Sequence, residues 1–119
     1  MNFNRRFTAN LKSPYDGLKF VKRRSEIRNP DGSLVFALDD VKVPEGWSQV
    51  ATDIIAQKYF RKAGVPAKTT RVREKGVPTW IQRRQMDAKA LDKLEESDRY
   101  GTEKDSRQVF DRLAGCWTY

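Results

Sequence analysis

The tetrapeptide Asn29-Pro30-Asp31-Gly32 constrains this chain more than any other stretch, because it reverses the backbone between two alternating runs. Pro30 presets the φ that opens a type I turn, and Gly32 supplies the positive φ that follows. On the incoming side Leu18 and Phe20 alternate with Lys19 and Val21, and Ile27 sits between Glu26 and Arg28. On the outgoing side Leu34, Phe36 and Leu38 alternate with Val35, Ala37 and Asp39. A period of two puts each set on one face of a sheet, so residues 17–43 are predicted to form a β-hairpin. Ile27 lies an odd number of steps from Phe20. A bulge near Lys22-Arg23-Arg24 is expected to restore the phase and leave those cations in solvent. Pro44 cannot donate to a ladder and ends the second strand at Val43-Pro44.

The next segment changes period. Trp47, Val50, Ala51, Ile54, Ile55 and Tyr59 recur at steps of three and four, which predicts a helix over 48–63 with one apolar stripe. Ser48 is placed to cap it, and Asp53 lies towards the positive end of its dipole. Lys58, Arg61 and Lys62 load the last turns. Gly64 can take the left-handed conformation beyond the end, and Pro66 prevents continuation.

Residues 66–78 read as irregular and basic, with Gly76-Val77-Pro78 as a second break. Trp80 and Ile81 are expected in a short helical turn. Residues 88–96 favour helix, with Leu91 and Leu94 inward, and residues 97–101 form a loop. A last helix is predicted from near Thr102, with Thr102 and Asp105 as a capping box, Val109, Phe110, Leu113 and Ala114 as its stripe, and Gly115 as its stop. Trp117 and Tyr119 follow. Two large aromatics there need something to pack against, and the expectation is a chain cut from a longer one.

Composition limits the chemistry. The 119 residues suit one domain or a piece of a larger one. No run approaches the roughly 18 apolar residues of a membrane span, and the first residues lack the apolar stretch of a signal peptide. Histidine is absent and Cys116 is the one cysteine. That excludes a Ser-His-Asp triad, a Cys-His pair, a zinc finger and an internal disulfide within this sequence, and it suits a reducing cytoplasm. Cys116 would follow a helix C-terminus, where the dipole disfavours a thiolate, so it is read as a small buried hydrophobe beside Trp117. Asp39-Asp40 and Glu95-Glu96 are read as solvated charge, since neighbours in a strand point to opposite faces. Lys22-Arg23-Arg24 and Arg83-Arg84 lack the aromatic platform or glycine-rich loop of a phosphate site. No catalytic, cofactor-binding or metal-binding residue is assigned.

The net charge of +8 is unevenly spread: +6 over residues 1–30, −3 over 31–47, +7 over 48–86 and −2 over 87–119. One reading is a footprint for nucleic acid or nucleotide phosphates. The other is that basic faces meet acidic faces of the same fold or of a continuing chain. The second is preferred, because no nucleic-acid motif accompanies the charge.

The wording of several segments goes beyond periodicity. Ser13-Pro14-Tyr15-Asp16-Gly17 precedes the first strand, Arg24-Ser25-Glu26-Ile27-Arg28 leads into the turn, and Trp47-Ser48-Gln49-Val50-Ala51-Thr52-Asp53-Ile54-Ile55-Ala56-Gln57-Lys58-Tyr59-Phe60 fills the central helix. Arg107-Gln108-Val109-Phe110-Asp111-Arg112-Leu113-Ala114-Gly115 precedes Trp117-Thr118-Tyr119. From about Arg5 to Tyr119 the chain resembles the N-terminal domain of the adenosylcobalamin-dependent (class II) ribonucleotide reductases, least distinctively over residues 66–101. The resemblance implies cobalamin-dependent ribonucleoside-diphosphate reductase activity for the full enzyme, converting ribonucleotides to 2′-deoxyribonucleotides for DNA synthesis. In that family adenosylcobalamin initiates a thiyl radical on a cysteine of a ten-stranded barrel. The family's cysteines lie downstream of this segment and Cys116 does not match them.

The expectation is therefore an α+β chain: one domain over 1–119, with an extended hairpin segment at 1–46, a mostly α-helical segment at 47–119 and no catalytic barrel. By itself it binds no cofactor and is inactive. Its partner is the catalytic barrel of the same or a split reductase, which alone would hold nucleotide substrate. Neither a membrane nor direct nucleic-acid binding is expected. Two other classes stay open: a stand-alone basic nucleic-acid-binding protein, and a free enzyme using Cys116.

Overall fold

A computed structural model describes residues 4–79 and 81–118. Strand β1 (Phe20–Arg28) pairs antiparallel with β2 (Leu34–Pro44). The turn forms as its residues require: the Gly32 N–H donates to the Asn29 carbonyl at 2.9 Å, Gly32 has φ of 87°, and Asp31 Oδ1 accepts from the Ser33 N–H at 2.8 Å.

The bulge lies on the other strand from the one expected. The alternation of β1 is unbroken, with Val21, Arg23, Ser25 and Ile27 opposite Val43, Val41, Leu38 and Phe36. One extra residue is in β2 at Asp39-Asp40, where Asp40 adopts a φ of 59°, and a second register shift leaves Val35 without an opposite residue beside the turn. Asp tolerates that left-handed conformation better than a β-branched residue would. Phe20 falls on the opposite face from Val21, held edge-to-face by Tyr15 and covered by the Arg107 guanidinium 4.2 Å from its centroid. Of the three clustered cations, Lys22 and Arg24 are exposed but Arg23 turns inward. It donates to the carbonyls of Glu45, at 2.9 Å, and Trp47, and to the Thr52 hydroxyl.

Helix α1 (Gln49–Ile54) begins at Ser48, whose Oγ accepts from the Ala51 N–H at 3.1 Å. It continues as a π-helical turn (Ile55–Tyr59) that ends when the Phe60 N–H reaches back to the Ile55 carbonyl. Helical structure therefore stops short of residue 63. The reason is non-local: the Arg61 N–H donates to Glu103, and the Arg61 carbonyl accepts from the Glu103 N–H and the Thr102 hydroxyl. Gly64 takes the expected left-handed backbone, with φ of 72°, four residues later.

Two strand pairs follow, each of two to three residues: β3 (Val65–Pro66) with β6 (Tyr100–Gly101), and β4 (Thr69–Arg71) with β5 (Arg84–Met86). Between them lie α2 (Ala88–Leu91), capped by Asp87, and a 3-10 turn at Glu96–Asp98. Leu91 is buried and Leu94 half-buried, but the helix stops at Leu91, short of the expected 88–96, and Leu94 lies beyond it. Ile81 closes a turn on the Pro78 carbonyl; Trp80 lies outside the described residues.

Helix α3 (Ser106–Thr118) starts later than expected. The capping box is displaced to Asp105 and Gln108: Asp105 Oδ1 accepts from the Arg107 N–H, and Gln108 Oε1 reaches back to the Asp105 N–H, both at 3.0 Å. Thr102 is spent on Arg61 instead. Gly115 does not end the helix, because it lacks the positive φ that a glycine stop uses. Just before α3, the Lys42 N–H donates to the Lys104 carbonyl at 2.8 Å, adding a short bridge to β2.

The core is small: Val41 and Val43 from β2, Ile55, Ala56 and Phe60 from the α1 segment, and Val109 from α3. Burying each large side chain is worth about 1.5–3 kcal/mol. The α+β class holds, and the helical content beyond residue 47 is modest.

Candidate functional site

Two features link the α1 segment to α3. The first is a carboxylate clasp. Glu103 is wholly buried, and its oxygens accept from Arg61 Nε (2.9 Å), the Arg61 N–H (2.9 Å), Arg112 Nε (3.2 Å) and Arg112 Nη2 (3.1 Å). Burial alone would raise its pKa. The bonds from Arg112, then from the Arg61 main chain and side chain, outweigh burial and hold the carboxyl below its ordinary range. Asp105 behaves alike: burial raises it, but Arg107 holds it low. On the far side of α3, the Tyr15 hydroxyl donates to Asp111 Oδ1 at 2.7 Å, and burial followed by that carboxylate pushes the phenol well above its usual value. The clasp is saturated, so its chemistry is structural.

The second feature is a groove of about 400 Å³ between α1, its π-helical turn and α3. Trp47, Ala51, Ile54, Ile55 and Tyr59 form one wall, and Val109, Phe110 and Leu113 form the other. The rings of Trp47 and Phe110 meet edge-to-face at 6.1 Å. The predicted stripe of the central helix is thus divided. Ile55 goes inward with Ala56, whereas Val50, Ile54 and Tyr59 are 67%, 50% and 54% exposed. The face laid on the sheet is in part polar: Ser25 Oγ donates to Asp53 Oδ1 at 2.7 Å, and Thr52 is buried beside Arg23.

The residues weighed from the sequence lie apart. Asp39 pairs with Arg24 at 2.6 Å and Asp40 with Lys22 at 3.4 Å, so the two carboxylates engage different cations. Glu95 and Glu96 are exposed. Arg83 pairs with Glu74, and Arg84 donates to Thr69. Basic segment 1–30 meets acidic segment 31–47 through Arg24–Asp39, Lys22–Asp40 and Lys19–Glu45, while Arg61–Glu103 joins segments 48–86 and 87–119. Cys116 is exposed rather than buried, because α3 runs past Gly115 and presents it in the last turn. Trp117 is 81% exposed. Among the described residues no three Cys, Asp or Glu cluster as a metal site, and no helix is long and apolar enough to cross a membrane. Sequence reasoning missed the Glu103 clasp, for which Arg112 nine residues after Glu103 was the local signal.

Residues 21–119 match the family model described as class II vitamin B12-dependent ribonucleotide reductase. Over all 119 residues the chain is 56% identical to a vitamin B12-dependent ribonucleotide reductase of Bradyrhizobium diazoefficiens and 56% identical to one of Agrobacterium fabrum. It spans 10% and 9% of their respective lengths. A reductase of Rhodopirellula baltica is 35% identical over 72 residues, which are 60% of this chain and 7% of that protein.

Proposed function

Since this chain belongs to the class II vitamin B12-dependent ribonucleotide reductases, as a portion of their N-terminal region, we propose that residues 1–119 form one packing module of such an enzyme. Residues 1–46 are its hairpin segment and residues 47–119 its helix-bearing segment. The whole enzyme, on this reading, reduces ribonucleotides to 2′-deoxyribonucleotides for DNA synthesis in the cytoplasm. The module's partner is the catalytic barrel, of the same polypeptide or of a split reductase, and substrate sits there. The observation that carries this reading is full-length similarity to reductases of which the chain spans only a tenth.

Cobalamin does not suit the groove between α1 and α3. A corrin carries a rim of amides, each wanting hydrogen-bond partners, whereas the groove offers aliphatic and aromatic side chains. We therefore place the cofactor and the reacting cysteines on residues outside this chain. What the chain supplies is a rigid face, held by the Glu103 clasp.

The test is complementation. The Bradyrhizobium reductase is truncated of the region matching this chain, and the 119-residue chain is added back. Recovery of deoxyribonucleotide formation supports the module; a truncated enzyme that is already fully active, or that stays inactive after addition, overturns it.

A further inference from the structure

We propose that the groove between α1 and α3 is the seat on which this chain binds an apolar segment, two or three anchors at helical spacing, from the nine-tenths of the reductase it does not cover. The inference rests on the module reading and specifies which surface makes the contact.

The argument begins with the rotation of α1. An amphipathic helix alone on a sheet turns its apolar stripe inward. Here α1 instead lays Thr52, and the Asp53 bonded to Ser25, against β1, and leaves Val50, Ile54 and Tyr59 outward. Turning α1 by about half a revolution would exchange Thr52 for Val50 and Ile54. The setting leaves an apolar face that a partner can cover, since scattered apolar exposure is ordinary but a contiguous lined groove is not.

The groove's shape and chemistry select the occupant. Two walls of side chains, with Trp47 and Phe110 at edge-to-face contact, match the helix-in-groove mode, read by anchors at i, i+3 or i+4, and i+7. Among the described residues no charged side chain lines it, so it rewards an apolar segment. Trp117, one turn beyond Leu113 on α3, prolongs the same face. Two relatives that align with the whole chain carry about ten times its length. The missing cover therefore has an ample source within the same enzyme.

The test is titration of the 119-residue chain with the truncated Bradyrhizobium reductase, by calorimetry and by the fluorescence of its tryptophans. Ile54→Glu and Phe110→Glu are expected to weaken binding about tenfold or more, while Arg71→Glu on β4 changes it by less than about twofold. Tyr59→Ser, which adds no charge, provides a second probe should circular dichroism find either glutamate variant unfolded. Wild-type binding with all folded groove variants equally tight would overturn the groove and leave the module reading standing. No binding by wild type would overturn both. A chain that sediments as a dimer, and becomes monomeric with Ile54→Glu, would assign the groove to a second copy and overturn the proposal.

Discussion

Arg61 gives both its main-chain N–H and its guanidinium Nε to the carboxylate of Glu103, 42 residues away, each at 2.9 Å. This double donation ends the central helical segment and fixes the approach to α3. It places a charged group at a position where an apolar side chain would be the ordinary choice.

Glu103→Ala is accordingly expected to be among the most damaging single changes. It removes the acceptor of four charge-assisted bonds, while Arg61 and Arg112 remain exposed enough to rehydrate. A loss of about 3 kcal/mol is expected in urea unfolding. A change under about 1 kcal/mol would mean that the clasp does not hold the two segments together.

The clasp also sets a pH dependence. Glu103 and Asp105 are both held below their ordinary values in the folded chain. Their contribution is complete above the unfolded carboxylate range, near pH 4, and is lost as the pH falls through that range towards the folded values. The urea midpoint should therefore drop between pH 6 and pH 3. Glu103→Gln should flatten that drop, and an unchanged slope would contradict the assignment.

Much of this architecture is legible locally. Asn29 to Gly32 dictate their turn, Ser48 its cap and Gly64 its left-handed backbone, because each acts through neighbours within a few residues. Glu103 is not legible in the same way. Locally it is one more acid ahead of a helix, and only the arrival of Arg61 makes it a buried hub. Val41 and Val43 were hidden for a related reason. Their phase relative to Phe36 and Leu38 is shifted by one residue at Asp39-Asp40, and the alternation of Leu34, Phe36 and Leu38 gives no sign of that shift. The groove was half legible: the periodicity found the stripe, but not that a polar contact between Ser25 and Asp53 would turn part of it outward.

Ser106 offers a change in the opposite direction. Its hydroxyl is buried and has no hydrogen-bond partner. Ser106→Ala removes an unsatisfied group and raises helix propensity, so stability should rise by about 1 kcal/mol. A destabilisation in thermal unfolding would reveal a partner for that hydroxyl.

Val41 and Val50 separate the core from the outward face of α1. Val41 is wholly buried and Val50 mostly open. Val41→Ala should cost about 2 kcal/mol and Val50→Ala under about 0.5 kcal/mol in chemical denaturation. Equal effects would remove the distinction between the valine core of β2 and the outward face of α1.

The pairing of β3 with β6 holds Pro66 beside Tyr100, so residues 67–99 leave and return through a single doorway. Lengthening such an excursion adds closure entropy only logarithmically. Insertions at its exposed turns should leave the clasp and the valine core undisturbed, which makes this stretch the natural place for related chains to diverge in length.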